Sequence, residues 1–209
     1  MIENQGYKGL SAYIQTKIIY DFTMKFCKNY IDFKSRTKDQ MEQAARSGKQ
    51  NISEGYAQKD FSGKLKLLKI ARGSQEELLE DYLDFLRQRN LPLWDRENIE
   101  AKKVRNLVYK INDNNDYNHY NNDNYYKIYN LYKSYLDNME KAANAMVCLI
   151  NQTNAMIDNK IKWLEQNMVK KDTMSFRQKW LMEQLKKEQR RNKEMDEWAK
   201  GLMKNKNDV

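Results

Sequence analysis

Apolar side chains recur at every fourth residue along much of this chain, and that spacing constrains its fold most. In residues 10 to 33 the recurring positions are Leu10, Ile14, Ile18, Phe22, Phe26 and Tyr30. A step of four places side chains on one face of an α-helix, whereas a half-buried strand needs a step of two. The 209 residues also include only 1 Pro and 7 Gly, too few for a β-protein with many turns. The pattern therefore predicts an all-α fold.

Capping residues and the single proline set the expected boundaries of the later helices. Pro92 disfavours helical geometry at the residue before it, so the third helix must end before Leu91. Polar residues that can accept hydrogen bonds from a first helical turn mark the starts. The expected helices are a second from Thr37 or Asp39 to Ala57, a third from Asp60 or Ser62 to the segment before Leu91, a short one from Asp95 to Ile111, and a long one from Tyr125 to Met168.

Two segments lack a clean apolar period. Residues 112 to 126, NDNNDYNHYNNDNYY, are nearly all Asn, Asp and Tyr. Asn and Asp side chains compete for the nearby backbone and favour turns, so this segment is predicted to be a long exposed loop. Residues 169 to 209 are highly charged, with a partial apolar stripe that includes Trp180, Leu185 and Trp198. We therefore expect a helical domain over residues 1 to 168 and a charged helical extension over residues 169 to 209.

Small residues line one side of the expected second helix, in the segment QAARSGKQNISEGYAQ. An interior glycine costs about 1 kcal/mol relative to alanine, so Gly48 and Gly55 indicate a neighbouring helix that packs close. Ser47, Asn51 and Glu54 flank this stripe, where they can hydrogen-bond across to another helix. The helix is expected to continue through both glycines. A phosphate-binding loop is excluded, because GxxxxGK[ST] is absent and no strand precedes the segment.

Three segments together resemble a known bacterial family: AARSGKQNISEGYA, KLLKIARGSQEELLEDYLDFLRQRNLPLWD and AANAMVCLINQTNAMIDNKIKWLE. They are similar to the helical proteins encoded within intervening sequences of large-subunit ribosomal RNA genes, in the variant that carries a C-terminal suffix region. The matching residues are Ala45, Ser47, Gly48, Asn51, Ile52, Glu54 and Gly55 of the second helix, and Ala71, Arg72, Ser74, Glu77 and Leu78 of the third. Gly73, before that serine, is interpreted as a further close-packing position.

The resemblance implies an antiparallel four-helix bundle, commonly assembled into a ring-shaped pentamer, with no established enzymatic activity and no cofactor. A related protein is the basic accessory protein of diversity-generating retroelements, which binds its reverse transcriptase and nucleic acid. We therefore expect a non-enzymatic homo-oligomer that acts as a scaffold for a protein partner, such as a reverse transcriptase, or for a nucleic acid.

Positive charge is concentrated at the start of the expected third helix. The chain carries a formal net charge of +9, which favours association with polyanions without specifying one. Within residues 58 to 72 the basic residues are Lys59, Lys64, Lys66, Lys69 and Arg72, opposed by Asp60 alone. No base-reading motif accompanies them, so any contact with RNA or DNA is expected to be with phosphates.

The sequence assigns no catalytic residue and no metal ligand. His119 lies in the predicted loop, and Cys27 and Cys148 are too far apart in sequence to indicate a zinc site, so two buried free thiols are expected. Glu76, Glu80 and Asp84 share one helix face and are of the type that binds Mg²⁺. A flat helix face offers no cleft, so a solvated or intersubunit acidic face is the preferred interpretation. A metal-dependent nuclease or hydrolase, and a structural oligomer without nucleic-acid contact, stay open as alternatives.

Membrane and export signals are missing from the sequence. No apolar run reaches the roughly 18 residues that a transmembrane helix requires. The opening segment, MIENQGYKGL, lacks the basic and then apolar pattern of a signal peptide. A cytoplasmic protein without membrane contact is expected.

Overall fold

The computed structural model describes residues 11–107 and 122–172, with a few single positions beyond them. Within these residues all regular structure is helical and no strand occurs, which confirms the all-α prediction. The elements are α1 (Ser11–Tyr30), α2 (Arg36–Ala57), α3 (Phe61–Gln88), α4 (Ile99–Leu107), α5 (Asn122–Lys133), a 3₁₀ turn (Ser134–Asp137) and α6 (Met139–Asp172). His119 and nearly all of the charged tail lie outside the described residues.

Helix α2 runs without interruption through both of its glycines, as predicted. It begins at Arg36, because Ser35 caps it rather than the expected Thr37 or Asp39: Ser35 is extended and its side chain accepts a hydrogen bond from the backbone N of Thr37. Asp60 caps α3 in the same way, accepting from the backbone N of Gly63 at 2.6 Å. Helix α2 packs against both α1 and α3.

The loop predicted over residues 112–126 is wrong for its last part, because α5 begins at Asn122. The rings of Tyr125, Tyr129 and Tyr132 are all buried, and their spacing of four and three gives α5 an apolar face. The hydroxyl of Tyr125 donates to Asp21 of α1. The tyrosines therefore give this segment a helical period, although the asparagines around them favour turns.

The single long helix predicted from Tyr125 to Met168 is also wrong, because a 3₁₀ turn and Asn138 separate α5 from α6. Asn138 is extended, and its side chain accepts from the backbone N of Lys141 at 3.0 Å, which caps the first turn of α6. The hydroxyl of Tyr30 donates to the carbonyl of Leu136 within the turn. The short helix begins at Ile99 rather than at the predicted Asp95, and Asn98 caps its start. Its described part is Ile99–Leu107, and the predicted end at Ile111 lies outside the described residues.

The apolar core consists of two clusters. The larger cluster is formed mainly by α1, α3, α5 and α6 around Phe22, Phe26 and Tyr82. The smaller cluster joins α2, α3 and α6 and contains Ile52, Leu68, Ala71, Ile157, Ile161 and Leu164. Contacts of α6 with the other helices include a hydrogen bond from Thr153 Oγ1 to Gln15 Oε1 of α1 at 2.8 Å.

Buried polar residues separate the two apolar clusters along the sequences of α3 and α6. On α3, Ser74 and Gln75 lie between Ala71 of the smaller cluster and Leu78 of the larger one. On α6, Thr153 and Asn154 occupy the corresponding interval, and all four of these polar residues are buried. Gly48 of α2 lies against these polar residues, because a Cβ added to it would meet Gln75.

The chain divides into two compact units, Met1–Glu165 and Gln166–Val209. Both cysteines are free thiols: Cys27 is buried and Cys148 is half-buried. Among the described residues no helix is long and apolar enough to cross a membrane.

Candidate nucleic-acid interface

Four lysines gather around the link from α2 to α3, and we call Lys59, Lys64, Lys66 and Lys69 the basic end. Lys59 lies in the link, and the other three belong to the first turns of α3. Lys59, Lys66 and Lys69 are exposed, whereas Lys64 is half-buried with its Nζ 5.6 Å from the centre of the Tyr56 ring. The structure therefore brings these predicted contact residues together at one end of the helix.

Two of the predicted contact residues already have carboxylate partners. Lys69 pairs with Glu165 at 2.7 Å, and both side chains are exposed, so the pair contributes little stability and can exchange for a phosphate. Arg72 is different, because it is half-buried and its Nε donates to both carboxylate oxygens of Asp158 at 3.1 and 3.2 Å. Its guanidinium also donates to Glu76. Arg72 therefore ties α3 to α6.

The pKa of Arg72 reflects this internal role. Burial acts to lower the pKa, but hydrogen bonds and charge from Glu76 and Asp158 outweigh it and raise the pKa above its usual value. The cation is thus held firmly between two carboxylates. A phosphate that binds Arg72 would compete with both of these carboxylates.

Helix α6 adds two residues to the basic end that the sequence did not single out. Lys160 Nζ lies 4.3 Å from the centre of the Trp163 ring, and Trp163 is 49% exposed. Burial lowers the pKa of Lys160, and the charge of Lys64 lowers it further, so the two ammonium groups are close. The motif KIKW at residues 160 to 163 carries a lysine and a tryptophan one helical turn apart, but the sequence does not show that they face α3.

The N-terminus of α3 is not itself an anion site. Backbone N–H groups at the start of a helix attract anions, but here the Asp60 carboxylate already accepts one of them, from Gly63. The Asp60 carboxylate competes with a phosphate for this end of the helix, so the lysine side chains are the better phosphate ligands here.

The two buried glycines of the packing motif make room for different neighbours. A Cβ on Gly48 would lie 2.0 Å from Nε2 of Gln75, so this glycine accommodates a buried side chain. A Cβ on Gly55 would lie 3.3 Å from Cβ of Leu67 and 3.6 Å from the backbone oxygen of Lys64, so this glycine does allow close helix approach. The close-packing interpretation of Gly73 is wrong, because Gly73 is exposed and its Cβ would meet nothing within 4 Å.

The three polar residues of the motif bond differently from one another. Ser47 Oγ lies 2.8 Å from Ser74 Oγ and links α2 to α3 as expected. Asn51 instead donates to the carbonyl and hydroxyl oxygens of Ser47, within α2. Glu54 accepts from Gln50 at 2.7 Å, also within α2. Of these three residues, Ser47 is therefore the one that bonds to α3.

The acidic part of α3 borders a groove, contrary to the flat face expected from the sequence. The groove has a volume of about 910 Å³, and α2 and α3 contribute its walls. Glu77, Glu80 and Asp81 line it, and burial, followed by the charges of Asp84 and Glu77, raises the pKa of Asp81 to about 6. Among the described residues no three His, Cys, Asp or Glu side chains are placed to hold a metal ion.

The three carboxylates considered as nuclease ligands do not share this groove. Glu80 lines it, whereas Glu76 accepts hydrogen bonds from Arg72 and, at 3.2 Å, from Asn154. Asp84 pairs with Arg87 at 2.7 Å. Two of the three are therefore engaged with cations of the same helix.

Comparison with protein-family models finds no match to this chain, and comparisons with curated proteins and with solved structures find none either.

Proposed function

We propose that the protein is a non-enzymatic, cytoplasmic helical scaffold that self-associates and binds RNA or DNA through phosphates at the basic end. The observation that carries the proposal is the group formed by Lys59, Lys64, Lys66 and Lys160. None of these four lysines has a carboxylate within ion-pairing distance in the part of the chain that the structure describes. A cluster of unneutralised cations attracts the phosphate backbone.

A four-helix bundle is the architecture we propose for this scaffold. The four long helices are α1, α2, α3 and α6, with 20, 22, 28 and 34 residues. The links from α1 to α2 and from α2 to α3 are only a few residues long, which favours antiparallel neighbours. This arrangement agrees with the resemblance to the intervening-sequence proteins of bacteria.

Self-association, with a pentamer as the expected form, is part of the proposal. Large apolar side chains exposed on the first unit support it, among them Phe33 at 78% and Ile99 at 71%. Light scattering at micromolar concentration should then return about five times the 25.2 kDa mass of one chain. A 25 kDa species would contradict self-association.

A protein partner such as a reverse transcriptase belongs to the same proposal and is supported by the family resemblance. A reverse-transcriptase gene beside the gene for this chain would strengthen it. Co-purification of the two products, lost when the basic end is changed, would place the partner on the same surface.

Binding of RNA at two salt concentrations tests the nucleic-acid part. Each lysine–phosphate contact on a single strand releases counterions, so the affinity should fall with a log–log slope of about −0.7 per contact. Affinity should vary little with base sequence, because the contacts are to phosphates. Absence of binding at low salt would favour a structural oligomer without nucleic-acid contact. Cleavage of the RNA in Mg²⁺, abolished by Glu80→Ala, would favour the nuclease alternative instead.

A further inference from the structure

The groove between α2 and α3 is lined by four carboxylates and one cation, and we call it the acidic groove. The cation is Arg36, and the carboxylates are those of Asp39, Glu77, Glu80 and Asp81. None of these five residues forms an ion pair within the part of the chain that the structure describes. A chain with a formal net charge of +9 therefore carries a local excess of negative charge in one concavity.

The acidic groove continues into a second cavity, because Gln40 and Asp81 line both of them. The second cavity has a volume of about 320 Å³ and adds the carboxylates of Asp32 and Asp84 and the guanidinium of Arg89. The carboxylates that α3 contributes thus follow the helix from Glu77 to Asp84. The negative charge is spread along a groove rather than gathered in one pocket.

Small side chains form the floor of the acidic groove. Ala44 and Ser74 line it and are buried, whereas Glu77 and Glu80 line it and are exposed. The hydroxyl of Ser74 is already hydrogen-bonded to that of Ser47. A long side chain that enters the groove can therefore lay its methylene stem over the floor and place its charged end beside the carboxylates at the rim. Lysine and arginine have this shape.

The arrangement of the carboxylates favours a ligand with several positive charges. Among the described residues no three His, Cys, Asp or Glu side chains are placed to hold a single metal ion. Glu77, Glu80 and Asp84 recur every three or four residues, which spaces them by about 5 Å along α3. Burial, followed by the charges of Asp84 and Glu77, raises the pKa of Asp81, so these carboxylates repel one another. Several cationic side chains on one peptide match this row and relieve the repulsion.

We propose that the acidic groove binds a lysine- or arginine-rich segment of a partner protein, whose cationic side chains pair with the four carboxylates. The segment belongs to a partner rather than to a second copy of this chain, because the basic end of a second copy would have to release its phosphates to fill the groove. That choice rests on the proposed function. The scaffold then has two surfaces of opposite charge, of which the basic end binds nucleic acid and the acidic groove binds protein.

Fluorescence anisotropy with a labelled peptide tests the acidic groove in the full chain. The probe peptide repeats Ala-Ala-Ala-Lys, and its control has Gln in place of every Lys. The lysine peptide should bind, more weakly as the salt concentration rises, and the glutamine peptide should not. Glu77→Gln combined with Glu80→Gln should weaken binding roughly tenfold. Glu54→Gln combined with Glu97→Gln removes the same charge from exposed positions outside both cavities and should leave the affinity unchanged.

Several outcomes would overturn the proposal. Absence of lysine-peptide binding at low salt would do so, as would equal losses in the groove variant and the control variant. Spermine that binds as tightly as the peptide would assign the groove to a small polyamine. A lower mass of the groove variant in light scattering would make the groove an interface between copies. Failure of RNA to bind at low salt would refute the proposed function, whereas the peptide titration tests the groove by itself.

Discussion

Replacing Gly48 by alanine should destabilise the protein, although alanine is the better helix former. Gly48 is in the middle of α2, where alanine should gain about 1 kcal/mol from helix propensity alone. The added Cβ would lie 2.0 Å from Nε2 and 3.0 Å from Cδ of Gln75, so the amide must move. Gln75 is completely buried, and neighbouring side chains limit where the amide can go.

The size of the effect follows from these opposing contributions. Overpacking in a core costs about 1–3 kcal/mol, which exceeds or cancels the propensity gain. Gly48→Ala should therefore lower the free energy of unfolding by up to about 2 kcal/mol. Gly73 is the matched control, because it is an exposed position within α3 where an added Cβ meets nothing within 4 Å. Gly73→Ala should raise the free energy of unfolding by about 1 kcal/mol.

Urea denaturation measures the change in the free energy of unfolding for both variants. The midpoints can be compared directly if the slope of that free energy against urea concentration is the same in each protein. A second background, Gln75→Ala, removes the amide that the new methyl group would meet. Among the residues that the structure describes, neither Nε2 nor Oε1 of Gln75 has a hydrogen-bond partner, so the change removes the amide without breaking a hydrogen bond to any of them. In that background Gly48→Ala should become stabilising. If Gly48→Ala stabilises the unmodified protein as much as Gly73→Ala does, the steric argument is refuted.

Three further changes test other parts of the structure. Arg72→Gln should lower the free energy of unfolding by about 1 kcal/mol, measured by thermal denaturation, because the half-buried guanidinium joins α3 to α6. Lys69→Gln is the control and should cause a smaller loss, because Lys69 and Glu165 form an exposed pair. Equal losses in the two variants would contradict the argument. Burial raises the pKa of Asp81 to about 6, so the folded protein holds this proton at pH values where the unfolded chain has already lost it. The contribution of Asp81 to the free energy of unfolding is therefore lost as the pH rises from about 4 to about 6. Asp81→Asn should therefore stabilise more at pH 7 than at pH 4 in urea midpoints, and an equal gain at both would be inconsistent. Burial raises the pKa of the Cys27 thiol to about 12. A thiol-specific reagent at pH 8 should therefore modify Cys27 only after the protein unfolds. Rapid modification of Cys27 in the native protein would contradict this prediction.

The helical fold and the packing face of α2 could be predicted from the sequence because their signals are local. Residues at steps of three and four share a helix face, and Met41, Ala44, Gly48, Ile52 and Gly55 are all buried as that period requires. The neighbour of each glycine could not be predicted. The amide of Gln75 fills the space beside Gly48, and sequence spacing does not show which side chain of another helix reaches it.

The break between α5 and α6 has no Pro or Gly to signal it in the sequence. It is stabilised by the cap from Asn138 and by a hydrogen bond from Tyr30, which is more than 100 residues away in the chain. Similar long-range contacts explain the errors at the candidate site. The partner of Arg72 on α6, Asp158, is distant from it in sequence.

The salt dependence of RNA binding tests most directly the claim that the basic end contacts phosphates. The measurement compares the full chain with a variant in which Lys59, Lys64 and Lys66 are all changed to Gln. A matched control removes three exposed lysines elsewhere: Lys28, Lys102 and Lys133. Loss of three phosphate contacts should reduce the log–log slope on a single strand by about 2, and the control should keep the original slope. An unchanged slope in the basic-end variant, or an equal reduction in the control, would contradict the account.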